Sequence, residues 1–221
     1  MTSIKKELVP AILSKTAADA KRKFELCRGL VSWIQLDVMD ETFVKQKSWH
    51  SAVQARKWNV KPSIELHLMV NDPLTIMKQW RSVKQFKRAL WHVEAQIDHE
   101  KILDWCLKNK IQGGLAISPD TPLDAITPYL YHKAFYRALI LGVTPGRSGQ
   151  KILPATYKKI RALRGLRPKL HIAFDGGIKK SNILVLARHG VTSFCAASSI
   201  FSSDEPRQKI QEFKALIREL P

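Results

Sequence analysis

The fold is decided by a short strand with polar side chains at alternate positions, Trp33-Ile34-Gln35-Leu36-Asp37-Val38-Met39-Asp40. Because successive strand side chains point to opposite faces, Gln35, Asp37 and Met39 share one face and the aliphatic residues between them share the other. Two later stretches end in the same way, Ile64-Glu65-Leu66-His67-Leu68-Met69 and Ile172-Ala173-Phe174-Asp175-Gly176-Gly177. An acid or an imidazole at three strand ends predicts one shared site at the carboxyl ends of parallel strands.

Outward from this strand, the chain alternates strand and helix about eight times across its 221 residues. The predicted strands are short continuous apolar runs, as expected where both faces of a parallel sheet are buried. The pattern predicts an α/β protein with a single (β/α)8 TIM barrel over residues 1–221, because that fold places eight such units in a domain of ~200–250 residues. Within it we expect a short helix over residues 123–130 and the sixth strand over residues 138–143.

The composition is that of an ordinary globular protein, with 45% hydrophobic and 25% charged residues. No apolar run reaches the ~18 residues that span a bilayer. The first residues, Met1-Thr2-Ser3-Ile4-Lys5-Lys6-Glu7, lack the apolar core of a signal peptide. We therefore expect a cytoplasmic protein with no membrane partner. The three widely spaced cysteines suit a reducing compartment better than a disulfide framework.

The formal net charge of +18 is unusual for a chain of this length. Such an excess is typical either of solvated outer helix faces or of an anionic partner such as nucleic acid. The basic residues are spread through several amphipathic stretches, for example Lys78, Arg81, Lys84, Lys87 and Arg88, and do not form one block. This distribution favours solvated helix faces and leaves nucleic acid as an open alternative.

The polar strand ends carry the candidate chemistry. In a barrel the loops after the strands share one face, so Asp37, His67 and Asp175 are expected to converge. Two carboxylates and an imidazole around a sugar-sized pocket suit a divalent metal, acid–base catalysis or both. A metal that held two oxygens of a hydroxyketone would stabilise an enediolate, and carboxylates on both faces could remove and return a proton. By residue type alone, ordinary capping of strand ends explains the same three side chains equally well.

Small residues form a second constellation after the sixth, seventh and eighth strands. The three loops are Gly146-Arg147-Ser148-Gly149, Gly176-Gly177 and Ala197-Ser198-Ser199. Barrels often bind phosphate through backbone N–H groups of the last loops, and glycine lets the backbone approach the anion closely. Each loop alone is only a turn, but the three together favour a phosphorylated substrate.

Several short motifs follow one another in a definite order. The most specific are Leu36-Asp37-Val38-Met39-Asp40, His67-Leu68-Met69 and Asp175-Gly176-Gly177-Ile178, accompanied by Pro10-Ala11-Ile12-Leu13-Ser14 and His92-Val93-Glu94-Ala95. In these motifs and their order the chain resembles the ribulose-phosphate 3-epimerase family over nearly its whole length. The resemblance implies a (β/α)8 barrel that interconverts D-ribulose 5-phosphate and D-xylulose 5-phosphate, the pentulose 5-phosphate substrates, through a metal-stabilised enediolate.

The resemblance also implies roles for the matching residues. Asp37 and Asp175 would form the acid–base pair and, with Gln35 and His67, would bind one divalent metal ion. Met39 and Met69 would form an apolar cap over the enediolate. The full substrate-binding set that the resemblance implies is Ser14, Met39, His67, Met69, Gly146, Arg147, Gly149, Gly176, Gly177, Ala197 and Ser198. Because the family commonly forms homo-oligomers, we expect one here.

Two departures from the family pattern bear on function. Gln35 stands where the family usually has histidine, and an amide oxygen is a harder and weaker ligand, so the metal could be Zn, Fe, Mn or Co. Ala197 replaces a glycine and adds a methyl group where a phosphate would approach, and Arg147 could compensate with a charged contact. Two alternatives therefore stay open: a catalytically impaired barrel that binds a phosphorylated ligand or nucleic acid, and an epimerase for another ketose phosphate.

Overall fold

The chain folds into a closed barrel of eight parallel strands. The structure is a computed structural model that describes residues 4–58, 61–145 and 150–220. Each strand pairs with the next along the chain, and the last pairs with the first. In order, the strands are β1 (Glu7–Ile12), β2 (Trp33–Met39), β3 (Ser63–Met69), β4 (Phe86–His92), β5 (Gln112–Ile117), β6 (Phe135–Leu141), β7 (His171–Asp175) and β8 (Ser193–Ala196). The predicted (β/α)8 barrel is confirmed, whereas its extent over all of residues 1–221 stays a prediction.

Helices connect the strands and cover the outside of the barrel. They are α1 (Ala17–Cys27), α2 (Ala52–Lys57), α3 (Pro73–Trp80), α4 (His99–Lys108), α5 (Ala155–Leu166), α6 (Lys180–His189), α7 (Ser198–Phe201) and α8 (Pro206–Arg218). Their ends follow local chemistry. Asp72 caps α3 by accepting a hydrogen bond from the Thr75 N–H, and Pro73 occupies its first turn. Gly190 ends α6 with a φ of 114°, a left-handed conformation that glycine adopts without strain.

Two local expectations were wrong. Residues 123–130 form two short 3-10 turns, Leu123–Ala125 and Thr127–Tyr129, in place of one helix. Pro128 accounts for the break because it has no N–H to continue a helical turn. The sixth strand lies at Phe135–Leu141, earlier than predicted, because Arg137 points into the barrel and is neutralised there by glutamates.

The alternation along β2 separates two apolar layers. Ile34, Leu36 and Val38 are fully buried in the layer between the strands and the helices. Small and aliphatic side chains such as Val9, Ala11 and Leu139 fill the inside of the barrel. Gln35 and Asp37 therefore point inward, among the residues that fill the barrel and close to its open end.

A buried ion network closes the opposite, N-terminal end of the barrel. Glu65 is fully buried, and its Oε2 accepts hydrogen bonds from Arg88 at 2.8 Å and Arg137 at 2.9 Å. Arg137 also donates to Glu7 at 2.5 Å, and the Arg88 guanidinium lies 3.8 Å from the ring centre of Trp33. Two arginines are thus neutralised by two glutamates inside the barrel.

Two features of the structure relate to the predicted location of the protein: the lengths of its apolar helices and the state of its cysteines. Among the described residues, no helix combines the length and the apolar character needed to cross a bilayer. Cys27, Cys106 and Cys195 are all free and buried. The predicted cytoplasmic location and the predicted homo-oligomer stay predictions.

Candidate active site

Asp37, His67 and Asp175 meet at the carboxyl end of the barrel. Asp37 and His67 are directly paired across β2 and β3, which places both side chains at the same height. Asp175 ends β7 and reaches the same point from the other side. The His67 Nδ1 lies 3.2 Å from Asp37 Oδ1 and 3.5 Å from Asp175 Oδ2. The strand ends thus bring together the three side chains that the sequence singled out.

Gln35 joins the two carboxylates from below. Its Nε2 donates to Asp37 Oδ1 at 2.8 Å and to Asp175 Oδ2 at 2.6 Å. The side chain is fully buried, and its Oε1 has no hydrogen-bond partner among the residues that the structure describes. A buried amide oxygen without a partner costs free energy, so this residue is under-satisfied as it stands.

Burial and the close contacts within the cluster shift the pKa values of Asp37 and His67. Burial raises the pKa of Asp37, and the neighbouring Asp175 carboxylate raises it further. Burial by itself would lower the pKa of His67. Hydrogen bonds to Asp175 and Asp37, together with their charges, outweigh burial and raise that pKa to about 9. A cluster of two acids that favours a positive partner is the environment in which a cation binds well.

The side chains present fit a divalent metal ion. Asp37, His67 and Asp175 each offer one ligand atom, and these atoms all lie within 4.8 Å of one another. Carboxylate oxygens and a neutral imidazole are common ligands of divalent transition metals. The unpartnered Oε1 of Gln35 supplies a further oxygen if the amide turns over, which would also relieve that atom's lack of a hydrogen bond.

His67 continues into a chain of polar contacts on β4. Its Nε2 lies 3.1 Å from Nε2 of His92, and His92 Nδ1 lies 3.0 Å from Glu94 Oε2. Burial lowers the pKa of His92. Burial alone would raise the pKa of Glu94, but contacts with His92, Thr121 and the Ser118 N–H lower it to about 2. Glu94 is therefore an ionised acceptor at neutral pH.

An open cavity begins directly above the acids. Met39 and Met69 are almost fully buried and line one side of it. Its lining residues are Leu13, Asp37, Met39, His67, Met69, Leu141, Val143, Thr144, Pro145, Asp175, Gly176, Gly177, Ile178, Cys195, Ala197, Ser198 and Ser199. The cavity thus has the acids and imidazole at its floor and the ends of β6, β7 and β8 along its far wall.

The glycines after β7 are required by the backbone. Gly176 has a φ of 98° and Gly177 a φ of 69°, values that side chains rarely allow. A Cβ atom on Gly176 would lie 2.5 Å from Val143 Cγ2, and one on Gly177 would lie 2.7 Å from Ile152 Cγ1. Glycine therefore keeps this wall open and leaves backbone N–H groups near the cavity.

The comparisons with known proteins agree with this geometry. The model of the ribulose-phosphate 3 epimerase family matches residues 7–201.

The chain belongs to the ribulose-phosphate 3-epimerase family.

A relative named ribulose-phosphate 3-epimerase, cytoplasmic isoform, from Oryza sativa subsp. japonica is 30% identical, with 94% of this chain and 92% of the relative covered. A ribulose-phosphate 3-epimerase from Candida glabrata is also 30% identical, with 97% and 94% covered. The predicted enzyme class, an isomerase, is confirmed. A solved 3-keto-L-gulonate-6-phosphate decarboxylase from Vibrio cholerae shares the fold, with a TM-score of 0.74, 11% identity and coverage of 99% and 100%.

Ser14, which was expected in this epimerase-family site, lies beside the main cavity and does not line it. The Ser14 hydroxyl donates to Asp19 at 2.7 Å and accepts from Lys23 at 3.2 Å, and Ser14 lines a neighbouring hollow. Gly146, Arg147 and Gly149 lie outside the described residues. Ala197 and Ser198 line the main cavity as expected.

Sequence reasoning did not include Thr144 and Ser199 in the candidate substrate-binding set. Both line the cavity, and the Ser199 hydroxyl is buried with no hydrogen-bond partner in the described part of the chain. The position of Ser199 was a usable signal, because it belongs to the loop Ala197-Ser198-Ser199 after β8, and the family resemblance placed Ala197 and Ser198 in that set. Thr144 follows β6 in the same way.

Proposed function

We propose that this protein is a metal-dependent epimerase that interconverts D-ribulose 5-phosphate and D-xylulose 5-phosphate. The observation that carries the proposal is the pair of carboxylates, Asp37 and Asp175, both held close to Nδ1 of His67 at the floor of an open cavity. The names of the curated relatives support the substrate class.

The two carboxylates perform complementary proton transfers at C3 of the sugar. One removes the C3 proton as a general base, and the electron pair left behind forms the C2–C3 double bond while negative charge moves to the C2 oxygen. The other then delivers a proton to the opposite face of C3, which inverts its configuration. Asp37 and Asp175 come from β2 and β7, so they approach the sugar from two sides.

A divalent cation bound by Asp37, His67, Asp175 and the Oε1 of Gln35 would supply positive charge that stabilises the developing enediolate. The amide of Gln35 must turn for its oxygen to take this role, because its nitrogen now faces both carboxylates. Zn, Fe, Mn and Co all suit this donor set.

Apolar side chains shield the reacting carbon. Met39 and Met69 line the cavity on the side of β2 and β3, while Leu141 and Val143 line it on the side of β6. Exclusion of water strengthens the electrostatic interactions within the site and protects a reactive enediolate from side reactions. These side chains therefore bind the carbon skeleton and contribute no polar group to the chemistry.

The far wall of the cavity would bind the 5-phosphate. Gly176 and Gly177 expose backbone there, and Ser198 and Ser199 add hydroxyl groups. The buried, unpartnered Ser199 hydroxyl is suited to donate a hydrogen bond to a phosphate oxygen. We include Gly146, Arg147 and Gly149 in the proposed phosphate site on the family resemblance, and Ser14 as a substrate contact on the same basis.

Turnover of D-ribulose 5-phosphate by metal-stripped protein tests the proposal, with Zn2+, Fe2+, Mn2+ or Co2+ returned singly. We expect restored formation of D-xylulose 5-phosphate with at least one ion. Asp37→Asn and Asp175→Asn should each lower kcat by about 10²–10⁴-fold, the range typical of a lost general acid or base. Asp40→Asn is the matched control, because its carboxylate follows β2 but bonds Thr42 outside the cavity.

Two outcomes would contradict the proposal. Unchanged turnover in Asp37→Asn and Asp175→Asn would remove the acid–base assignment. Absence of turnover with every ion, in protein whose folding is verified, would favour another ketose phosphate or the binding-barrel alternative. Retention on nucleic acid that weakens steeply with salt would support the nucleic-acid version of that alternative.

A further inference from the structure

His92 and Glu94 form a pair that the proposed chemistry does not use. His92 ends β4 inside the barrel and is fully buried, so its ring occupies the space beside His67. The two imidazole rings stack at 5.3 Å between centres, and the ring of Phe43 lies 4.6 Å from His92. A ring packed in this way has little freedom to turn, and its two nitrogens therefore have definite partners.

A row of hydrogen bonds runs from Glu94 through His92 to His67. The surroundings of Glu94 determine which atom donates in each of these bonds. Glu94 Oε1 accepts from the Ser118 N–H at 2.7 Å and from the Thr121 hydroxyl at 2.6 Å, which leaves Oε2 for His92. A carboxylate only accepts, so His92 Nδ1 must carry a hydrogen. The Ser118 hydroxyl is a more distant neighbour of that nitrogen, at 3.5 Å.

The hydrogen on His92 Nδ1 also determines the tautomer of His67. With its hydrogen on Nδ1, neutral His92 has a lone pair on Nε2 and accepts from His67 Nε2 across 3.1 Å. His67 then carries a hydrogen on Nε2, and its Nδ1 faces Asp37 and Asp175. A histidine that binds a metal usually donates its other N–H to such an outer partner, which fixes the tautomer.

We propose that His92 and Glu94 are positioning residues that hold His67 in its Nε2–H form and so present Nδ1 to the cation. This inference rests on the metal site of the proposed function. The supporting loop is itself held from outside, because Lys159 donates to the carbonyl groups of Ser118, Pro119 and Thr121. Glu94 thus determines which ring nitrogen of His67 carries the hydrogen, although two side chains separate Glu94 from the cation.

The tautomers can be read directly by 15N NMR of histidine-labelled protein. In the metal-free protein at neutral pH we expect His92 as the Nδ1–H form. His99 is the internal reference, because its Nδ1 accepts from Trp91 at 3.0 Å and its Nε2 faces the Val93 carbonyl, which requires the opposite tautomer. An Nε2–H form of His92 in the wild-type protein would overturn the proposal without any variant.

Glu94→Gln tests the consequence for the metal. A glutamine amide can accept from Ser118 and Thr121 through its oxygen and donate to His92 through its nitrogen. Donor and acceptor are then exchanged in the bond to His92 and in the bond between His92 and His67. We expect the opposite His92 tautomer and a Cd2+ affinity lowered about 10–100-fold, the cost typical of a lost outer partner. Thr121→Val is the matched control: it removes one bond to Glu94 but keeps the carboxylate, so the Cd2+ affinity should change by less than about threefold.

Loading with 113Cd distinguishes a failure of the positioning role from a failure of the metal site itself. Coupling between 113Cd and His67 Nδ1 is expected in the wild-type protein, and coupling to Nε2 would contradict the proposal. A reversed His92 tautomer with unchanged Cd2+ affinity in Glu94→Gln would also contradict it. Absence of Cd2+ binding by the wild-type protein would instead remove the metal site itself and the positioning role with it, while the His92 tautomer would still report on the polarity of the chain.

Discussion

Replacement of Gln35 by methionine is the most informative single change in the floor of the site. Methionine has a similar length and no branching, but it can neither donate to the carboxylates nor act as an amide ligand. In the metal-free protein, Gln35 Nε2 is the donor shared by Asp37 and Asp175, at 2.8 and 2.6 Å. Its loss leaves the buried Asp37 carboxylate and the partly buried Asp175 carboxylate in contact with His67.

The size of the effect follows from these contacts. Each lost hydrogen bond to a charged group costs about 1.5–3 kcal/mol, whereas removal of the buried unpartnered Oε1 returns about 1–3 kcal/mol. With two bonds lost and one atom recovered, the middle of these ranges lowers the free energy of unfolding of metal-free Gln35→Met by about 2–3 kcal/mol. For a chain of this length this corresponds to a fall in Tm of about 4–12 °C.

Differential scanning calorimetry of metal-free and Zn2+-saturated protein measures this fall in Tm. With Zn2+ bound, the carboxylates are compensated by the cation, so the deficit of Gln35→Met should be smaller than without it. Gln208→Met is the control, because Gln208 is exposed and makes one long contact of 3.3 Å with Glu212. An unchanged or higher Tm of metal-free Gln35→Met would refute the bridging role of the amide.

Three further predictions concern other parts of the barrel. Glu65→Gln should lower the free energy of unfolding in urea by about 3–5 kcal/mol, because it leaves Arg88 and Arg137 buried without their shared countercharge; a loss no larger than that of a surface variant would contradict this. Ser199→Ala should raise KM for D-ribulose 5-phosphate severalfold and leave kcat unchanged, and steady-state kinetics would show the reverse if Ser199 acted in the chemistry. Burial and the nearby arginines lower the pKa of His171 to about 4. A depressed histidine pKa favours the folded state above pH 6.5, so stability should fall between about pH 6.5 and 4, and urea titrations of His171→Gln should show a weaker fall.

The strand ends were predictable because their chemistry is local. Alternation along β2 is enough to place Gln35 and Asp37 on one face, and the parallel order of eight strands then brings Asp37, His67 and Asp175 together. The same logic placed Gly176 and Gly177 beside the cavity. The alternation of side chains along a strand and the order of the strands are therefore enough to predict most of the fold and the residues at the floor of the site.

Other features depend on partners distant in sequence. The predicted sixth strand began after Arg137, and nothing local indicates that Glu65 and Glu7 neutralise this side chain inside the barrel. The bridging orientation of the Gln35 amide requires knowledge of where Asp175 lies, 140 residues away. The position of the ring hydrogen on His92 likewise depends on a loop that follows β5. Such contacts become visible only when the barrel closes.

Proton transfer at C3 by the Asp37 and Asp175 pair is the central claim, and 1H NMR in D2O tests it most directly. Metal-loaded protein incubated with D-ribulose 5-phosphate should produce D-xylulose 5-phosphate and incorporate one deuterium at C3 of the sugar. Asp37→Asn and Asp175→Asn should lose this exchange, while Asp40→Asn keeps it. Retention of hydrogen at C3 in the wild-type reaction, or deuterium at that carbon in both Asp37→Asn and Asp175→Asn at the wild-type rate, would contradict the claim.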